Sequence, residues 1–253
     1  MARDDREHKA TAPYTRAFLT VYDVWVIRLS NRFAWRCDAE VLLDLYNRHL
    51  GRRHLEVGPG SGWYLANAAG PNPVELTLTD LNPSPLAFTA RRVQEAGRAV
   101  ESVRGSVLEP VPAAAGRGYD SVGVNFVLHC VPGDFAAKGV AFRHLAEVLA
   151  DDGVLFGSTI LGQRPRTLFG RALSEIYCRV GAFNNRDDER GALERALGAA
   201  FDEFTVRDVG DVTLFTGRRP RRATSGGRVG VEGEGVVDAV GDEGFVDGVA
   251  AQE

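Results

Sequence analysis

Strand-like and helix-like segments alternate along most of this chain, and the alternation restricts its possible folds more than any other feature. The run RRHLEV reads as a first strand, followed by a glycine-rich turn and a helix from about Trp63 to Ala69. VELTLTD, Val74 to Asp80, alternates apolar and polar residues as a second strand. Asn82 and Pro83 then supply an N-cap and a proline at the first helical position, for a helix to about Ala96 that stops at Gly97. AVESVRG and YDSVGVNFVL read as a third strand and a buried fourth. Phe135 to Leu149 has helical spacing, GVLFGSTIL is a fifth strand, and ERGALERALGAAF is a helix. EFTVRDVGDVTLFTGRR closes the series as two strands around a tight turn at Val209, Gly210 and Asp211. Strands joined through helices pair in parallel, with helices on both faces. The tight final turn allows only antiparallel pairing, so the last strand is expected to run against the others. The expected fold is α/β: a doubly wound, mostly parallel, seven-stranded sheet. Ahead of it, Tyr14 to Leu50 is expected to hold two helices.

The turn after the first strand lies in RRHLEVGPGSGWYL, with glycines at alternate positions 58, 60 and 62 and an acid at Glu56. Glycine inside an element costs roughly 0.5–1 kcal/mol relative to alanine, so three together point to backbone approaching a ligand. In an open parallel sheet that ligand binds at the carboxyl ends of the strands, where strand order reverses. The dinucleotide fingerprint places its third glycine three positions after the second, whereas Gly62 follows Gly60 by two. Glu56 would also repel a pyrophosphate, and it suits an ammonium group instead. Asp80, at the end of the second strand, stands where a carboxylate accepts hydrogen bonds from ribose hydroxyls. A nicotinamide oxidoreductase is therefore disfavoured.

Composition removes other classes. No apolar run approaches the ~20 residues of a membrane span, and no apolar segment follows the charged MARDDREHKA, so neither membrane insertion nor secretion is expected. Cys37, Cys130 and Cys178 are odd in number and widely spaced, giving no disulfide framework and no metal-ligand pair, as in a cytoplasmic protein. Net charge is −4, but the segment from 223 onward holds seven acids and one arginine, so the remainder is close to neutral. A near-neutral body is not a nucleic-acid surface. That glycine- and acid-rich tail reads as disordered. The basic run GRRPRR reads as a solvated end of the fold.

Taken in order, LEVGPGSG, LTLTDLNP, GSVLEP, YDSVGVNFVLHCVPGD and LADDGVLFGSTI resemble the motifs of class I S-adenosylmethionine-dependent methyltransferases, over roughly Arg52 to Arg218. The resemblance implies a Rossmann-like sheet and S-adenosyl-L-methionine as cofactor. It implies that Glu56 holds the methionine amino group and that Gly58, Gly60 and Gly62 line the cofactor. Asp80 would bind the ribose and Leu81 would pack on the adenine. Ser106 and Val107 would edge the adenine ring, and Asn125 would lie beside the sulfonium. The family often has an acid where this chain has Ser106, and a hydroxyl accepts more weakly than a carboxylate. The expected division of the chain is a helical lid over residues 1–50, a cofactor domain over 51–219 and a disordered acidic tail over 220–253.

Methyl transfer from a sulfonium is an in-line displacement, so much of the catalysis comes from positioning. A base is needed only where the nucleophile must lose a proton. His129, four residues past Asn125, is the candidate base, while His49 and His54 fall at the start of the first strand, away from the expected site. The aromatic-rich lid nominates Tyr14, Tyr22 and Trp35 as acceptor contacts, with Arg166 to Phe183 as a second contributor. The fourth strand ends NFVL, unlike the Asn/Asp-Pro-Pro-aromatic pattern of base-amino methylating enzymes, and no metal cluster is evident. The expectation is a methyltransferase acting on oxygen, nitrogen or carbon of a small molecule. The alternative is a cofactor-binding regulatory or scaffold relative without catalysis. The acceptor and the oligomeric state stay open.

Overall fold

The computed structural model describes residues 30–69, 75–163 and 165–222. Tyr14, Tyr22, most of the expected lid and the tail from residue 223 lie outside the described residues. Residues 30–34 form a single π-helical turn, closed by Trp35 N donating to Ser30 O at 3.0 Å. One helix follows in the described part of the lid, α1 (Ala39–His49), which buries Ala39, Leu42, Leu45 and Tyr46 along one stripe. Glu40 in its first turn and Arg48 in its last complement the helix dipole.

The sheet comprises β1 (Arg53–Val57), β2 (Glu75–Asp80), β3 (Val100–Arg104), β4 (Tyr119–Asn125), β5 (Leu149–Thr159), β6 (Phe201–Val209) and β7 (Val212–Pro220). Its order is β3-β2-β1-β4-β5-β7-β6. The first five strands pair in parallel, and β7 pairs antiparallel with both β5 and β6, as the short Gly210–Asp211 connection requires. Gly210 has a φ of +63°, and a Cβ there would collide with the Trp35 and Arg36 carbonyls. Strand order reverses between β1 and β4, so the crevice at their carboxyl ends is the switch point.

Between the strands lie α2 (Trp63–Asn67), α3 (Pro83–Glu95), α4 (Phe135–Lys138), α5 (Val140–Val148), α6 (Leu168–Arg179) and α7 (Arg190–Ala200). Asn82 caps α3 by accepting from Ser84 N at 2.9 Å, with proline at its start. The segment that reads as one helix from Phe135 to Leu149 is two. The chain steps at Gly139, where a Cβ would stand 2.8 Å from Ala196 Cβ of α7, and Leu149 already belongs to β5. The two faces of the sheet carry separate cores. Phe142, Leu145, Leu193 and Leu197 pack on one, and Leu42, Leu65, Val93 and Phe156 on the other. Each such side chain contributes about 1.5–3 kcal/mol by leaving water.

The fold also runs past residue 219. Arg221 pairs with Asp202 of the edge strand β6 at 2.7 Å and Arg222 with Asp151 of β5 at 3.1 Å, so the last arginines of GRRPRR pack back on the sheet. No described helix is long and apolar enough to cross a membrane.

Candidate active site

The loop after β1 takes its shape from its glycines. Gly58, Gly60 and Gly62 have φ of +63°, +55° and +70°, a region costly for residues with a Cβ. Gly58 N donates to Thr79 O at 2.8 Å, holding the loop against the end of β2, and a Cβ on Gly58 would overlap Val127 in the loop after β4. The two loops therefore meet across the switch point. Between them is a cavity of about 40 Å³ walled by the three glycines, Glu56, Tyr46 and Asn125. Phe126 also borders it, with a φ of +56° that is unusual for a bulky residue.

Glu56 is buried and both its oxygens are held. Tyr46 Oη donates to Oε1 at 2.6 Å, and His54 Nε2 lies 2.9 Å from Oε2. Burial and the neighbouring Glu56 push the Tyr46 hydroxyl well above its ordinary pKa, so it keeps its proton and donates. His54 Nδ1 contacts Ser121 Oγ at 2.8 Å. Gly123, on β4, makes room for this carboxylate, since a Cβ there would collide with Glu56 Oε2. Asn125 Nδ2 donates to Tyr46 Oη at 3.1 Å, and the buried Asn125 Oδ1 has no hydrogen-bond partner among the described residues. An unpaired buried acceptor costs about 1–3 kcal/mol, so the site is poised for a donor. A small cavity with an acceptor still open and a carboxylate in its wall matches the ammonium end of an amino-acid ligand. By this test the residues present fit the methionine end of S-adenosylmethionine.

Asp80, Leu81, Ser106 and Val107 are not among the residues that wall that cavity; Asp80 ends β2, Leu81 follows it, and Ser106 and Val107 follow β3, at the same end of the sheet as the glycine loop. Asp80 Oδ1 accepts from Asn82 N at 2.8 Å, and burial raises its pKa from 3.8 to about 6. Leu81 is half-buried, and its carbonyl accepts from Arg104 Nε at 3.0 Å. Ser106 Oγ accepts from Leu108 N at 3.1 Å, so the hydroxyl also shapes its own turn. Val107 packs into the core beside Leu108.

His129 is 4% exposed, and burial with the nearby Lys138 charge lowers its pKa to about 3. Its Nδ1 accepts from Ile160 N at 3.4 Å, which puts the proton of the neutral ring on Nε2. In that state the ring is a donor and a poor base. It packs edge-on against Phe183 with centroids 4.5 Å apart, and Trp35 lies 5.8 Å from the same Phe183 ring. Trp35 is only 2% exposed, a core residue of this aromatic group rather than an open contact surface.

Sequence reasoning discounted His54 and passed over Tyr46. Both belong to the Glu56 network. The signal available was faint: a tyrosine on the buried stripe of α1 and a histidine two residues before Glu56 on β1.

The methyltransferase domain family matches residues 55–155, which spans β1 to β5. The chain is 39% identical over 207 residues to demethylluteothin O-methyltransferase from Streptomyces thioluteus, a match covering 81% of this chain and 88% of that protein. It is 37% identical over 216 residues to the physcion biosynthesis cluster O-methyltransferase from Aspergillus chevalieri, covering 84% of this chain and 96% of that one. Among solved structures, an O-methyltransferase family protein from Burkholderia thailandensis superposes with a TM-score of 0.55 at 19% identity, over 79% of this chain and 59% of that protein, a likeness of fold. Sheet order, the glycine loop, the cavity beside Glu56 and these similarities agree, and the chain belongs to the class I S-adenosylmethionine-dependent methyltransferases that act on small molecules.

Proposed function

We propose that this enzyme methylates an acidic oxygen, such as a phenol, an enol or a carboxylate, on a small flat acceptor. The observation that carries the proposal is the state of His129, whose lowered pKa of about 3 and engaged Nδ1 leave it little capacity to take a proton. An acceptor that ionises by itself needs no protein base, only alignment. The O-methyltransferase names of two relatives favour oxygen over nitrogen or carbon. Half-buried Phe126 and Tyr177, backed by Phe183, favour a flat partner.

S-adenosylmethionine, when bound, supplies a methyl group on a sulfonium leaving group. The chain's own residues do the rest. Glu56 and Asn125 Oδ1 would accept from the cofactor's ammonium group, the glycine loop would let the backbone approach it, Asp80 would accept from the ribose hydroxyls, and Leu81 and Ser106 would border the adenine. His129 Nε2–H contributes a hydrogen-bond donor and an apolar ring face to the acceptor's surroundings. Three free thiols, Cys37, Cys130 and Cys178, favour a reducing cytoplasm as the place of action.

The test is a pH profile of kcat/KM for the acceptor at saturating S-adenosylmethionine, with phenols whose pKa values run from about 7 to about 10, against an aliphatic alcohol of similar shape. The rising limb is expected to move with the pKa of the acceptor, and the alcohol to be inert. A limb near pH 6.5 that ignores the acceptor, or equal turnover of the alcohol, would restore His129 as base and overturn the proposal.

A further inference from the structure

Lys138, the last residue of α4, has a side chain with no solvent exposure. Its Nζ, with three N–H donors to share, lies within hydrogen-bond reach of Leu128 O at 3.0 Å, Val131 O at 3.2 Å, Asn184 O at 3.3 Å and Asp188 Oδ2 at 2.7 Å. Leu128 and Val131 bracket His129 in the loop after β4. Asn184 and Asp188 lie in the loop between α6 and α7, next to Phe183. One ammonium group thus joins two loops that are far apart in sequence.

The surrounding bonds run between the same pieces of chain. Asn184 N donates to His129 O at 2.7 Å, and Asn184 Nδ2 to Cys130 O at 2.9 Å. Gly162 N, just past β5, donates to Asp188 O at 2.9 Å. Asn185 Nδ2 donates to Ile160 O at 2.8 Å, beside the amide that fixes the His129 ring. The backbone that carries His129 and Phe183 therefore belongs to the two loops that Lys138 joins. A buried ion pair is weak evidence for stability, because desolvating both charges offsets most of their attraction and well-packed apolar substitutes often do as well. What apolar substitutes cannot supply is a donor that reaches three carbonyls on two loops at once.

We propose that Lys138 is a positioning residue for methyl transfer, clamping the loop after β4 to the α6–α7 loop so that the His129 ring and Phe183 form a fixed wall for the acceptor. This rests on the assignment of these loops to the acceptor side. Its effect is exerted through His129 and Phe183, without contact to either reactant.

The experiment follows the side-chain 15N signals of histidine by NMR, with the His129 signals identified from their loss in His129→Gln. Wild type is expected to show a single Nε2–H tautomer for His129. Lys138→Met/Asp188→Leu removes both charges together, and Lys138→Gln keeps a polar head that is one atom shorter with two donors. Calorimetric titration with S-adenosylhomocysteine runs in parallel as the check on fold and cofactor site. The expected result is cofactor-product affinity within about threefold of wild type, with His129 signals moved toward tautomer averaging in whichever variant folds. A wild-type His129 spectrum in a folded variant overturns the proposal, since a merely structural lysine would leave that signature untouched. Absence of S-adenosylhomocysteine binding by the wild type would refute the cofactor reading instead, and is read separately.

Discussion

Asp80→Asn is expected to make the free protein more stable and the cofactor complex weaker. Asp80 ends β2 with its carboxyl partly buried, accepting from Asn82 N at 2.8 Å and forming no ion pair among the described residues. Burial raises its pKa from 3.8 to about 6. Below about pH 4 the group is protonated folded or unfolded, and it costs the fold nothing. Between about pH 4 and 6 the unfolded chain ionises first and stability falls. Above about 6 both states are ionised and the full cost stands. A gap of about two units corresponds to at most about 3 kcal/mol, and solvent around the partly exposed carboxyl reduces this to about 1 kcal/mol. Asparagine keeps the oxygen that accepts from Asn82 and removes the charge. Thermal unfolding at pH 7 is expected to show Asp80→Asn melting about 2–4 °C above wild type, with the difference vanishing near pH 4. Titration with S-adenosylhomocysteine at pH 7 is expected to show binding weakened by about 10- to 100-fold, the cost of about 1–3 kcal/mol for losing charged hydrogen bonds to ribose hydroxyls. Wild-type affinity is expected to fall as pH drops through 6. A variant that is less stable at pH 7, or that binds as tightly as wild type, would refute the reasoning, the first on burial and the second on the ribose.

Tyr46→Phe deletes the hydroxyl that donates to Glu56 at 2.6 Å and accepts from Asn125 at 3.1 Å. A loss of about 2–3 kcal/mol is expected in urea unfolding, and a cycle with Glu56→Gln is expected to show coupling of at least about 1 kcal/mol; coupling within about 0.5 kcal/mol would mean the contact carries no energy. Gly62→Ala forces a Cβ onto a φ of +70° and to within 2.5 Å of Thr89 Cγ2. It is expected to cost about 2 kcal/mol or more and to abolish S-adenosylhomocysteine binding, and an unchanged melting temperature with retained binding would contradict that.

Residues close in sequence determined much of this protein before any packing was considered. Alternating periods of two and 3.6 specify the βα series, and the two-residue Gly210–Asp211 connection specifies the reversed β7, because both follow from local backbone geometry. The glycine spacing after β1 and the acids at Glu56 and Asp80 likewise mark the crevice without tertiary information. The break at Gly139 was hidden, because it depends on Ala196 of α7 packing where a Cβ would be. So was the network that holds Glu56, assembled from α1, β1 and β4 by residues up to 79 positions apart. The spacing of His129 suggested a base. Its tautomer and its lowered pKa come from Ile160, Lys138 and complete burial, which only the tertiary fold supplies. Local geometry is written in the order of residues, whereas desolvation and hydrogen-bond partners are set by whatever the fold brings alongside.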